Sequence, residues 1–73
     1  MVTVYSLPNC VQCDTTKKFL NRKFIEYTEI DISQDAEAYE RIKGWGFTQA
    51  PVVEWNKTAW SGFRMDMLSQ IAA

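Results

Sequence analysis

Apolar and polar positions follow two different periods along the chain, and the change of period divides it into strands and helices. Residues 2–5 are mostly β-branched or aromatic and predict a first strand. Residues 11–23 carry apolar side chains at three-and-four spacing on one face and mainly charged side chains on the other, which predicts an amphipathic helix. Residues 25–32 alternate apolar and polar positions and predict a second strand.

The second half of the chain continues with shorter elements. Ser33 followed by Asp35 is typical of a helix N-terminus and predicts a helix over residues 35–43, with one stripe formed by Ala36, Tyr39 and Ile42 or Lys43. The remaining elements are a strand, a tight turn, another strand and a closing helix, at 51–55, 56–57, 58–61 and 65–72.

The predicted order is βαβαββα, which defines an α/β chain with a four-stranded mixed sheet flanked by three helices. The first two strands are joined by a helix, so we expect them to be parallel with a right-handed crossover. The last two strands are joined by a tight turn, so we expect an antiparallel hairpin. No linker, repeat or low-complexity segment interrupts this order, and residues 1–73 are predicted to form a single domain.

Composition narrows the classes of function. The chain of 73 residues has a hydrophobic fraction of 47%, enough for a compact core, and a net charge of −1, which gives no attraction to nucleic acid. Residues 1–5 are too short for a signal peptide and lack its basic region. No run approaches the ~18 apolar residues of a membrane span. We therefore expect a cytoplasmic monomer without membrane association.

The two cysteines, Cys10 and Cys13, lie at the predicted start of the first helix. Three residues of helix rise ~4.5 Å, which keeps the two Cα atoms inside the ~4.4–6.8 Å range that a disulfide tolerates. A Cys-x-x-Cys after a first strand predicts a dithiol–disulfide redox site. The ring that it closes is too local to stabilise the fold, so the pair is expected to be functional.

The chain contains no histidine, which excludes Cys-His proteases, histidine acid–base enzymes and Cys₂His₂ zinc sites within one chain. Two cysteines do not supply the four ligands of a structural zinc site unless chains share the metal. We therefore expect no metal and no bound cofactor, the redox-active disulfide Cys10–Cys13 serving instead. An inert or metal-binding cysteine pair is the alternative.

The two cysteines have different predicted roles. Free N–H groups and the positive end of the dipole at a helix N-terminus stabilise a thiolate. Cys10 is therefore predicted to be the nucleophile, and Cys13, one turn inside the helix, the resolving thiol. Val11 and Gln12 occupy the positions between them and are expected to contact the substrate or partner. Asn9 is a candidate cap for this helix; equally, the segment before Cys10 only turns the chain.

Three segments, together with the order of elements, resemble the NrdH redoxins, glutaredoxin-sized members of the thioredoxin superfamily. Cys10-Val11-Gln12-Cys13 looks like their active-site motif, and Gln49-Ala50-Pro51-Val52-Val53 is similar to their cis-proline segment. Trp60-Ser61-Gly62-Phe63-Arg64 resembles the segment before their last helix. One departure is Met65, where the family usually has proline, and its loss reduces the pre-organisation of the helix start.

The resemblance implies a thioredoxin fold and a thiol–disulfide oxidoreductase. Such a protein carries electrons from thioredoxin reductase to the large subunit of a class Ib ribonucleotide reductase, in deoxyribonucleotide synthesis.

The resemblance also implies a cis peptide bond before Pro51 facing the disulfide, whereas the sequence alone leaves cis and trans open. Proline donates no main-chain hydrogen bond, so we expect Ala50 to pair with an incoming substrate strand. Partner contacts are expected from the segment before the last helix, in which the two aromatic residues fit a core role as well and the glycine allows a positive φ: Trp60, Ser61, Gly62, Phe63 and Arg64.

Two other functions are compatible with the motif. A glutathione-dependent glutaredoxin needs donors for the two carboxylates of glutathione. This chain offers few such donors, since it has Leu7 before the motif and a single glycine, Gly62, before the last helix. An iron–sulfur-binding module generally needs four cysteine-type ligands and therefore two chains.

Two further features have two interpretations each. Trp45 and Phe47, on either side of Gly46, form an exposed apolar patch for a partner or fill the core. The basic run of the first helix is a solvated face or steers an acidic partner: Lys17, Lys18, Arg22 and Lys23.

Overall fold

The computed structural model describes residues 1–73, and its elements follow the predicted order. The helices and strands are β1 Val2–Ser6, α1 Val11–Arg22, β2 Tyr27–Asp31, α2 Ala36–Gly44, β3 Val52–Trp55, β4 Thr58–Ser61 and α3 Met65–Ala72. They form one four-stranded sheet in the order β2-β1-β3-β4. β1 is parallel to β2 and antiparallel to β3, and β3 is antiparallel to β4. The predicted mixed sheet, the parallel first pair and the terminal hairpin are confirmed.

The second strand is shorter than the predicted range of 25–32. α1 ends at Arg22, and Phe24 follows in the left-handed region with φ 58°. The N–H of Ile25 then donates to the Leu20 carbonyl at 2.9 Å, which uses its donor in a turn. Pairing with β1 consequently begins at Tyr27.

The start and the buried face of α2 differ from the prediction. Asp35 is the N-cap, and its Oδ1 accepts a hydrogen bond from Ala38 N at 3.0 Å, whereas Ser33 bonds to Asp31 in the preceding turn. The buried face carries Ala38 and Ile42, so the predicted stripe was right in Ile42 and wrong in Ala36 and Tyr39, which are exposed. In so short a helix, two apolar stripes satisfy the same spacing, and contact with the sheet decides between them.

Side chains from the sheet supply two core layers. Val4 and Val53 point to the face that α1 and α3 cover, where Trp60 also lies. Their neighbours Tyr5 and Val52 point to the opposite face, against α2. This follows from the two-residue period of a strand, in which successive side chains alternate between faces. Both faces of β1 and β3 are therefore buried, which holds the loops at their ends in place.

Glu29 on β2 joins three elements. Its Oε2 accepts hydrogen bonds from Ser6 Oγ on β1 and from Lys17 Nζ on α1, each at 2.8 Å. The bond from Lys17, followed by that from Ser6, holds the pKa of the Glu29 carboxyl below its ordinary value. The same bond raises the pKa of Lys17. One residue of the basic run on α1 is thus paired within the fold.

Leu20 tests the packing of α1 on the sheet. Leu20→Ala is expected to lower the free energy of unfolding by about 2–5 kcal/mol, because the loss of buried apolar surface and the remaining cavity add. Phe24→Ala is the matched control, since that side chain is 94% exposed, and a change within about 0.5 kcal/mol is expected. Urea unfolding followed by circular dichroism measures both, and equal losses would contradict the packing.

Acidification tests the Glu29 contact. A carboxyl with a lowered folded-state pKa stabilises the fold above its ordinary pKa of 4.5, and this stabilisation disappears as the pH falls through the lowered value. We expect the wild type to exceed Glu29→Gln in stability by less than about 1 kcal/mol at neutral pH, since surface pairs contribute little. The difference should shrink as the pH falls below 4.5 and vanish once the carboxyl is protonated in the folded protein. Urea unfolding of both proteins across this range measures it; a difference that persists in acid would exclude the ionic contact.

Candidate active site

The redox motif, residues 10–13, begins with a cysteine that caps α1. Cys10 has extended backbone geometry, with φ −115° and ψ 108°, and its Sγ accepts a hydrogen bond from Cys13 N at 3.1 Å. Asn9 is not the cap, which corrects that expectation. It adopts φ 58° instead, a left-handed conformation that asparagine tolerates because its side chain bonds locally. Asn9 therefore turns the chain and Cys10 takes the place of the usual capping side chain.

The two cysteines are joined as a disulfide and differ in exposure. Their Cα atoms are 5.2 Å apart, within the expected range. Cys13 lies on the buried face of α1 and is 0% exposed. Cys10 is half-buried, and Val11 projects into solvent at 79% exposure. An incoming disulfide reaches Cys10 before Cys13, which supports the predicted roles of nucleophile and resolving thiol.

Residues 49–51, the cis-proline segment, lie beside the redox motif. The Ala50–Pro51 peptide bond is cis, which confirms the expectation. Cys10 Sγ lies 4.0 Å from the Ala50 carbonyl oxygen. Pro51 itself is fully buried, so its ring does not reach a partner and its predicted contact is corrected. Ala50, the other predicted contact in this segment, is partly exposed.

Residues 61–63, the bridging segment, bond to both neighbours. Ser61 Oγ donates to the Gln49 carbonyl and the Gly62 amide donates to the Pro51 carbonyl, both at 2.8 Å. The Phe63 amide donates to Gln12 Oε1 at 3.1 Å. Gly62 adopts φ +86° as expected. Three of the predicted site segments therefore form one hydrogen-bonded unit.

Trp60 and Arg64, at the two ends of the predicted partner-contacting segment, do not both face a partner. Trp60 is 3% exposed and packs in the core layer beneath α1 and α3. Its predicted contact with a partner is therefore corrected, and its core role is confirmed. Arg64 is exposed and donates two hydrogen bonds to the Asp66 carboxylate, at 3.0 and 2.8 Å. This guanidinium holds the pKa of Asp66 below its usual range. α3 begins at Met65 as predicted, without the family's proline.

A groove of about 520 Å³ opens beside Cys10 on the α2 side. None of the residues that line it is charged; they are Leu7, Cys10, Ile32, Ser33, Tyr39, Ile42, Phe47, Thr48, Gln49 and Ala50. Phe47 packs against the core and lines the groove at once, whereas Trp45 is 40% exposed and packs edge-on against Tyr5. Tyr39 and Thr48 were not predicted as site residues, because only the folded chain brings α2 and the loop before Pro51 to the same groove.

No three His, Cys, Asp or Glu side chains converge in a way that would hold a metal ion. None of the helices combines the length and apolar character that crossing a bilayer requires.

The arrangement supports thiol–disulfide exchange. In the reduced protein, the Cys10 thiolate attacks one sulfur of a substrate disulfide; that S–S bond breaks, a mixed disulfide forms, and the departing sulfur takes up a proton. The Cys13 thiolate then attacks Cys10, releases the second substrate thiol and leaves the Cys10–Cys13 disulfide. Two electrons pass from the protein to the substrate, which becomes a dithiol. The Cys13 N–H at Cys10 is placed to stabilise the attacking thiolate.

The fold and the site together define a thioredoxin-fold, glutaredoxin-like protein with a dithiol–disulfide centre. The model of the glutaredoxin family matches residues 2–60. The glutaredoxin-like protein NrdH of Lactococcus lactis subsp. cremoris is 43% identical over 72 residues, 99% of this chain and 100% of the relative. NrdH of Escherichia coli K12 is 36% identical over 70 residues, 96% of this chain and 86% of the relative. The chain belongs to the NrdH redoxins of the glutaredoxin family and is a thiol–disulfide oxidoreductase.

Solved structures agree with this assignment. The NrdH-redoxin of Escherichia coli superimposes with a TM-score of 0.93 at 36% identity, covering 96% of this chain and 92% of that chain. A glutaredoxin from Archaeoglobus fulgidus superimposes with a TM-score of 0.77 at 25% identity, covering 94% and 82%. The predicted thioredoxin-type fold is therefore confirmed.

The predicted roles of the two thiols can be separated by stoichiometry with the aromatic disulfide DTNB. Reduced wild type is expected to release about two thionitrobenzoate ions per chain and to close its own disulfide. Cys13→Ser should release about one and retain the other as a stable mixed disulfide, because no resolving thiol remains. Cys10→Ser should react slowly, since Cys13 is 0% exposed. Absorbance and intact mass measure these outcomes; a stable adduct on Cys10→Ser rather than Cys13→Ser would reverse the roles.

Proposed function

We propose that this chain accepts electrons from thioredoxin reductase and delivers them to a disulfide in the large subunit of a class Ib ribonucleotide reductase. Its setting would be the cytoplasm, where the glutathione and thioredoxin systems keep thiols reduced. The chain would act there as a thioredoxin-like carrier on a glutaredoxin-like frame.

The observation that carries the proposal is the uncharged groove beside Cys10. Glutathione is a tripeptide with two carboxylates, and a site that binds it tightly would offer cationic donors for them. The lining residues include no lysine or arginine and combine apolar side chains with two threonine or serine hydroxyls and one amide. Such a surface matches an apolar protein segment better than a small anion.

The similarity to a characterised relative supports the same choice of reductant. The Escherichia coli NrdH-redoxin is a glutaredoxin-like protein with a thioredoxin-like activity profile. We extend that profile to this chain. The proposal of a ribonucleotide reductase as the acceptor is based on membership of the NrdH redoxins and on the resemblance of all three site segments to theirs.

A coupled NADPH-oxidation assay tests the electron source. With insulin as the disulfide acceptor, NADPH and thioredoxin reductase are expected to sustain turnover, whereas NADPH, glutathione and glutathione reductase should support at least about tenfold less. Adding a class Ib ribonucleotide reductase in place of insulin tests the acceptor through deoxyribonucleotide formation. Faster turnover with glutathione would identify a glutaredoxin instead.

A pair of charge variants tests the role of the groove. Thr48→Lys places a cation in the groove, and it is expected to raise the glutathione-dependent rate severalfold by pairing with a glutathione carboxylate. Thr28→Lys adds the same charge on β2, outside the groove, and controls for net charge. An equal effect of both variants would show that overall charge, not the groove, selects the reductant.

A further inference from the structure

The bridging segment forms hydrogen bonds to both halves of the active site. On one side, its first two residues bond to the cis-proline segment through the Gln49 and Pro51 carbonyls. On the other side, its contact with the redox motif is the hydrogen bond from the Phe63 amide to Gln12 Oε1, at 3.1 Å. The pairing of β1 with β3 brings Cys10 and the cis-proline segment together, and one side-chain amide adds a second link between them through the bridging segment.

We propose that Gln12 is a positioning residue for disulfide exchange. Its side-chain carbonyl helps to fix the redox motif relative to the cis-proline segment and so adjusts the position of Cys10 relative to Ala50, whose carbonyl oxygen lies 4.0 Å from the sulfur. A protein substrate that presents its disulfide to Cys10 meets Ala50 as well. Gln12 acts through the backbone of the bridging segment rather than by touching the reacting sulfurs.

Gly62 provides an independent observation for this role. A Cβ at that position would lie 3.3 Å from Gln12 Oε1, the nearest atom that it would meet. The absence of a side chain thus gives the Gln12 amide its place, in addition to allowing φ +86°. Gly46 differs in this respect: it has a similar φ of +94°, but a Cβ there would meet nothing within 4 Å.

The proposed effect depends on the size of the substrate. The N–H that bonds to Cys10 belongs to Cys13, so loss of the Gln12 contact leaves that stabilisation of the thiolate in place. A protein disulfide meets both Cys10 and the cis-proline segment, and misalignment of the two slows its reaction. A small aromatic disulfide meets mainly the exposed side of the sulfur and is less sensitive to the position of Cys10 relative to Ala50.

The test compares two disulfides in single-turnover reactions of the reduced protein. Each reaction oxidises the protein dithiol to the Cys10–Cys13 disulfide and reduces the probe, insulin or DTNB, by the same two electrons. In Gln12→Met, which keeps the length of the side chain but removes the acceptor, the ratio of the insulin rate to the DTNB rate is expected to fall about tenfold. A ratio within about twofold of the wild-type value would overturn the proposal.

Two comparisons separate positioning from general destabilisation. Gln12→Glu keeps an acceptor for the Phe63 amide, so its ratio of the insulin rate to the DTNB rate should stay closer to the wild-type value than that of Gln12→Met. The Phe63 amide should exchange its hydrogen faster only in the methionine variant. Gly62→Ala should lower the ratio, whereas Gly46→Ala, which carries the backbone strain alone, should not. Equal ratios in the two alanine variants would contradict the role of Gln12. Neither reaction involves thioredoxin reductase or ribonucleotide reductase, so the result is independent of the proposed partners.

Discussion

The hydrogen bond between the Cys13 N–H and the Cys10 sulfur is the interaction on which the site depends. Helix N-termini usually receive a serine, threonine, aspartate or asparagine oxygen at this position. Here the capping atom is the sulfur, at 3.1 Å from the amide nitrogen. The first turn of α1 therefore places the reactive atom against free backbone donors and, three residues later, buries its partner. One helix start gives two chemically equal thiols unequal environments.

The sheet supplies the second part of the site from a distant part of the sequence. β1 and β3 are antiparallel, with Tyr5 opposite Val52. The carboxyl end of β1, which leads to Cys10, therefore lies at the same edge as the amino end of β3, which follows Pro51. This pairing brings Cys10 and Ala50 together although 40 residues separate them. Because both faces of these strands are buried, the register is strongly fixed, since a slip by one residue would exchange their two faces.

Features with a local cause were predictable from the sequence. The periods of the strands and of α1, the spacing of the cysteines and the positive φ of Gly62 each follow from a few neighbouring residues. The cap of α1 was not predictable, because an asparagine beside a cysteine fits both a cap and a left-handed turn. The buried face of α2 and the inward position of Trp60 depend on contacts with distant residues. The groove at Tyr39 and Thr48 depends on the same contacts and carries no local signal.

The buried end of the segment before α3 explains why this segment is held in a fixed position. Trp60 anchors it in the core, where the indole Nε1 is buried without a hydrogen-bond partner. An unpaired buried donor costs about 1–3 kcal/mol, which the burial of so large an aromatic surface offsets. A smaller apolar residue would avoid the cost but would fill less of the layer beneath α1 and α3. Since the tryptophan is held from inside, the amides of the next residues point to the redox motif and the cis-proline segment from a fixed base. The proposed recognition through the uncharged groove and the proposed alignment through the bridging segment would thus reach Cys10 from two different sides of the site.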